Sequence, residues 1–78
     1  MPIHTITLEL VAEIVSTYSS LERLNLSRNE IEVVENLEAL GHSLKTLSLS
    51  ENLLRSSGLN GLDELPNLTS LNLSNNEM

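Results

Sequence analysis

Leucines recur in a fixed pattern along most of the chain. Leu21, Leu24 and Leu26 return as Leu44, Leu47 and Leu49, and again as Leu68, Leu71 and Leu73. The segments LERLNLSRNEI, LKTLSLSENLL and LTSLNLSNNEM align without gaps on L-x-x-L-x-L-S-x-N-x-aliphatic, with starts 23 and then 24 residues apart (21 to 44 to 68). Leu-x-Leu alternates with the period of a strand, which places both leucines on one face. Every unit returns in the same direction, so the pattern predicts parallel strands stacked about 4.8 Å apart. The second half of each unit changes period. Val34, Leu37 and Leu40 are spaced by three, as are Leu59, Leu62 and Leu65, and that spacing suits a 3₁₀ turn or a short helix as the return path. Extra residues fall near Gly41–His42 and near Ser56–Ser57–Gly58, where small residues favour loops. Pro66 suits the loop before the third strand, where no amide donor is needed.

Asn29, Asn52 and Asn76 stand where each strand ends and the chain turns away. A side-chain amide both donates and accepts. The three asparagines are therefore expected to stack as a buried ladder that satisfies backbone groups left unpaired by the turns. Neither Asp nor Leu offers both functions.

Residues 1–20 read as a degenerate first coil. Ile3, Ile6 and Leu8 also fit L-x-x-L-x-L, with Val11 at the asparagine position, and Leu10, Val11, Ile14, Val15 and Tyr18 share one helical face. A short strand followed by a helix of about two to three turns is predicted, covering the Leu21 strand as terminal repeats must. The repeats then run 21–43, 44–67 and, in part, 68–78. At the far side the strand around Leu71 and Leu73 is expected to present an unpaired edge and an open row of leucines. Proteins avoid such edges, so continuation or self-association is expected there.

On these motifs the chain resembles the leucine-rich repeat family over Leu21 to Met78. In particular it resembles the short-repeat subclass that includes a regulatory subunit of protein phosphatase 1, a dynein light chain and an RNA-splicing protein. The resemblance implies an α/β solenoid, with a parallel sheet on the concave face and short helical or 3₁₀ segments on the convex face. It also implies a non-enzymatic scaffold or adaptor that binds another protein through the concave face. Two alternatives are a regulatory module controlling a partner enzyme such as a phosphatase, and a structural piece of a longer array with its binding site elsewhere. The outward strand positions form three columns: Arg23, Thr46 and Ser70; Asn25, Ser48 and Asn72; Ser27, Ser50 and Ser74. These hydroxyls and amides suit polar contacts but supply no large apolar anchor of the kind that dominates interfaces. Arg23, Arg28 and Lys45 are the single residues best suited to contact a partner.

Composition narrows the chemistry. The chain has no cysteine, and His4 and His42 lie far apart, so no disulfide, thiolate nucleophile or structural zinc site is expected and no cofactor is implied. Neither a G-x-S-x-G nucleophile nor a G-x-x-x-x-G-K-S/T phosphate loop is present. Tyr18 is the only aromatic residue, which makes the core aliphatic. A net charge of −7 repels nucleic-acid phosphates and anionic lipid headgroups. No apolar run approaches the roughly 20 residues of a membrane span. The opening MPIHTITLELVAEIV has no basic start and carries Glu9 and Glu13, so it does not read as a secretory signal. An intracellular, cytoplasmic protein is the expectation. Glu30, Glu32, Glu35 and Glu38 on the first return path suit a solvated surface. Glycosylation sequons begin at Asn25, Asn67 and Asn72. Those at Asn25 and Asn72 arise from the x-L-S of the repeat itself.

Overall fold

The computed structural model describes residues 2–78. Three short strands, β1 (Arg23–Asn25), β2 (Thr46–Ser48) and β3 (Ser70–Asn72), form one parallel sheet in the order β1-β2-β3. The register follows the repeat. Arg23, Thr46 and Ser70 align, as do Leu24, Leu47 and Leu71, and Asn25, Ser48 and Asn72. Return paths run through 3₁₀ turns at Glu38–Leu40, Ser56–Gly58 and Asn60–Glu64. The architecture is an α/β repeat fold built on a small parallel sheet. Its helix, α1 (Leu8–Thr17), starts at Thr7, whose hydroxyl accepts the Leu10 N–H at 3.1 Å as an N-cap.

The core lies between the sheet and the return paths. Leu44, Leu47 and Leu49 face Ile31, Val34, Leu37, Leu40, Leu54 and Leu65, all buried. Burial depends on neighbours on both sides. Leu47 in the middle strand is fully buried, whereas its equivalent Leu71 on β3 is 38% exposed.

The second return path lies directly against the first, and small residues make this possible. The Val34 N–H donates to the Gly58 carbonyl at 2.8 Å. A Cβ on Gly58 would sit 2.3 Å from the Glu32 carbonyl oxygen, and one on Gly61 would sit 2.0 Å from that of Val34. The Ser56–Ser57–Gly58 insertion, expected as a loop, is a 3₁₀ turn because it fills this contact.

The N-terminal segment departs from expectation in its register. No strand forms between Pro2 and Thr7. The Ile3 N–H donates to Asn29 Oδ1 at 2.8 Å, and the Ile3 carbonyl accepts the Glu30 N–H at 2.9 Å. Ile31 makes the same pair of bonds to Asn52 Oδ1 and the Leu53 N–H, and Leu54 makes them to Asn76 Oδ1 and the Glu77 N–H. Ile3 is thus the equivalent of Ile31 and Leu54, not of Leu21. The segment supplies a return path. From that aliphatic to the next strand leucine there are 18 residues (3 to 21), against 13 (31 to 44) and 14 (54 to 68) in the later repeats. An α-helix, rising only about 1.5 Å per residue, takes up the excess, and α1 packs on the Glu38–Leu40 turn. Ile6 and Val11 are buried, whereas Leu8 is 67% exposed and Tyr18, at the C-cap, is 60% exposed. Ile3, Ile14 and Val15 of the segment pack on the same core as Leu21 and Leu24. Among the described residues no strand pairs with the outer edge of β1 or of β3.

Candidate functional site

The strand register gathers the outward side chains into rows. Arg23, Thr46 and Ser70 form one row, and Asn25, Ser48 and Asn72 the next. Ser27, Ser50 and Ser74 follow just past the strands, where the ladder continues through the Leu26 N–H to the Ser48 carbonyl and the Leu49 N–H to the Asn72 carbonyl, both 2.8 Å. Arg23, Asn25, Ser70, Asn72 and Ser74 are exposed; Ser27, Thr46, Ser48 and Ser50 are half-buried.

In the first and third repeats the second and third rows are braced to each other. Asn25 Oδ1 accepts the Ser27 N–H at 2.9 Å and the Ser27 hydroxyl at 2.6 Å. Asn72 Oδ1 accepts the same two groups of Ser74 at 3.0 and 2.8 Å. The middle repeat has serine in place of asparagine, and the Ser48 and Ser50 hydroxyls approach to 3.5 Å. Such Asx turns fix the amide plane. The Nδ2 groups of Asn25 and Asn72 make no hydrogen bond among the described residues and stay available as donors.

Of the candidate cations, Arg23 and Lys45 are exposed. Arg28 is committed to Glu51 at 3.1 Å across the repeats. Arg28, Glu51 and Asn75 occupy equivalent positions and all adopt the left-handed conformation, with φ of 61°, 57° and 59°. That backbone turn aims the following ladder asparagine inward.

Asn52 donates from Nδ2 to the carbonyls of Leu26, Leu49 and Ser50 at 3.0–3.1 Å and accepts the Ile31 N–H at 3.1 Å. Asn76 repeats this with Leu49, Leu73, Ser74 and the Leu54 N–H. Asn29 reaches only the carbonyls of its own repeat, Leu26 and Ser27. Asn52 is the one polar residue in the core among the described residues, at 4% exposed.

Three further polar residues hold the frame. Asn36, at φ 61°, donates to the Ile6 carbonyl at 2.8 Å. It has no counterpart in the other repeats, so comparing repeats could not reveal it. Ser43 donates to the Leu21 carbonyl at 2.7 Å, and Asn67 Nδ2 to the His42 carbonyl at 3.0 Å. Ser20, Ser43 and Asn67 all precede a repeat's first leucine, and that recurrence was a readable signal.

Among the described residues, no cluster of three His, Asp or Glu side chains could hold a metal ion. His4 pairs with exposed Glu30 at 2.9 Å. A shallow cleft of about 490 Å³ lies between α1 and the Glu38–Leu40 turn, lined by Leu8, Val11, Ala12, Asn36, Glu38 and Ala39. It contains none of the strand-row residues. Among the described residues, no helix is long and apolar enough to cross a membrane.

A parallel sheet with leucines inward, asparagines at the turns and 3₁₀ return paths defines a leucine-patterned α/β repeat protein. The family model described as Leucine rich repeat matches residues 19–78, and the chain belongs to the leucine-rich repeat family. Domains of this family generally mediate protein–protein interaction and are typically non-enzymatic. No curated protein and no solved structure matches the chain.

Proposed function

We propose that the chain is a scaffold or adaptor module, a short solenoid that binds another protein through its sheet face, the concave one. The observation that carries this reading is the pair of braced amides. Asn25 and Asn72 are held by Ser27 and Ser74 through their oxygens, which leaves both Nδ2 groups pointing to solvent from a fixed frame. Donors that are already ordered lose little freedom on binding. With Arg23 beside them they suit an acidic or carbonyl-rich segment of a partner, and Thr46, Ser48, Ser50 and Ser70 supply the hydroxyl floor.

The test uses immobilised protein and cell lysate. Arg23→Glu and Asn72→Ala lie on the sheet face, and Glu35→Lys lies on the first return path. The expected result is a set of captured proteins lost with the first two variants and retained by the third. Loss with Glu35→Lys alone would move the binding site to the opposite face.

A further inference from the structure

We propose that the cleft between α1 and the Glu38–Leu40 turn is a second docking site, filled by a basic peptide segment of a partner protein that also carries aliphatic side chains.

The cleft has what the sheet face lacks. The strand rows present hydroxyls, amides and one arginine, with no apolar anchor. In the cleft, Leu8, Ala12 and Ala39 line an apolar floor with Val11 buried beside them. The Thr7 cap fixes where α1 starts, and so holds Leu8 and Ala12, four residues apart, on one face of the helix. Leu8 is 67% exposed, more than any other large hydrophobic side chain among the described residues.

The polar side-chain groups left free in the cleft only accept. Asn36 commits Nδ2 to the Ile6 carbonyl at 2.8 Å, and its Oδ1 has no partner among the described residues. The Glu38 carboxylate is an acceptor and forms no ion pair among the described residues. Round α1 from buried Val11, Leu8 and Ala12 come next and Glu9 after them, at about 100° per residue, so Glu9 stands on the outer rim. The positive end of the helix dipole disfavours a cation here, and Glu9 in the first turn offsets it. Residues 2–22 and 29–44, which build the two walls, contain no Lys or Arg.

An occupant must therefore bring donors and positive charge together with apolar surface. Nucleic acid and anionic lipid carry the wrong charge, and so does a second copy of this chain at −7. A small free molecule is also a poor fit. Small-ligand sites bury most of their ligand, and this cleft of about 490 Å³ is shallow. A peptide segment lies across the opening instead. It seats aliphatic side chains between Leu8 and Ala39 and sets Lys or Arg against Glu38 and Glu9. The small side chains of Ala12 and Ala39 let its backbone come close. An apolar centre with a polar rim is the usual anatomy of an interface. The cleft shares no residue with the strand rows, so the two faces act independently.

The test is titration of the full chain with a short fluorescent peptide of alternating leucine and lysine pairs, followed by anisotropy. Saturable binding that weakens with salt is expected. Leu8→Ala should weaken it by roughly tenfold, as loss of an interface anchor does. Glu38→Lys should weaken it by about two- to fivefold, the range of an exposed ion pair. Both positions are exposed, so both variants should keep the wild-type circular dichroism spectrum. Asp63→Lys makes the same charge change at an exposed position on the Asn60–Glu64 turn, and should weaken binding less than Glu38→Lys. Arg23→Glu, on the sheet face, should not weaken it. Equal losses with Asp63→Lys and Glu38→Lys would mean attraction by net charge alone and overturn the proposal. So would loss with Arg23→Glu, indifference to Leu8→Ala, equal binding of a peptide with glutamate in place of lysine, or no binding at millimolar peptide. A dimer of the free chain that Leu8→Ala dissolves would give the cleft to a second copy and overturn it as well.

Discussion

The side chain of Asn52 reaches one repeat back and donates to the Leu26 carbonyl at 3.0 Å. That bond ties the turn of the second repeat to the strand end of the first. In the same residue, Oδ1 accepts the Ile31 N–H. Replacement by leucine strands the Ile31 N–H and leaves the Leu26 carbonyl only its bond from Asn29, in a site only 4% exposed. Asn52→Leu should lower the unfolding free energy by about 1–3 kcal/mol, the cost of unsatisfied buried polar groups. Asn29→Leu should cost less, because Asn29 is half-buried and lacks the bond to a preceding repeat. Urea unfolding followed by circular dichroism orders the two. Equal losses would refute the ladder as the source of stability.

Gly61 has no positive φ. On backbone grounds alone, alanine there should stabilise by about 0.4–1 kcal/mol through the unfolded chain. The contact decides otherwise. The new Cβ would lie 2.0 Å from the Val34 carbonyl oxygen, a backbone atom that cannot rotate away. Gly61→Ala is expected to destabilise by about 1–3 kcal/mol, the range of overpacking. Ser57→Ala, on the exposed side of the neighbouring turn, should leave the urea midpoint unchanged. A stabilised Gly61→Ala would mean that the two return paths are not in contact.

Glu51 holds a left-handed conformation at φ 57°, which costs an ordinary residue roughly 1–2 kcal/mol and asparagine less. Its ion pair with Arg28 is exposed on both sides and such pairs are worth about 0–1 kcal/mol. The backbone term is the larger, so Glu51→Asn is expected to raise the thermal midpoint. The third repeat already has Asn75 at this position. A fall in the midpoint that disappears at high salt would show the ion pair to be the stronger term.

The strands, the asparagine positions and the rows on the sheet were legible because each recurs three times within one sequence. A chance match at Leu24 would not repeat at Leu47 and Leu71. What occurs once was not legible. Asn36 has no equivalent, and Arg28 and Glu51 give no glycine to mark their turns. Spacing also misleads when it is satisfied by two registers. Ile3, Ile6 and Leu8 fit the strand leucines by interval, and only the bonds from Ile3 to Asn29 and Glu30 show that they belong to a return path.

The two registers make opposite demands on Ile6 and Leu8. If the segment were a strand in the leucine pattern, both side chains would point inward and both would be costly to truncate. In the observed register Ile6 is fully buried and Leu8 is 67% exposed beside the shallow cleft. Ile6→Ala should then cost about 2–5 kcal/mol, the transfer term plus the cavity left behind. Leu8→Ala should fall within about 0.5 kcal/mol of wild type, as exposed positions do. A chain this small is only marginally stable, so Ile6→Ala is expected to be largely unfolded at room temperature by circular dichroism, while Leu8→Ala keeps the wild-type urea midpoint. Comparable losses in the two variants would restore the strand register and make the first segment a complete repeat.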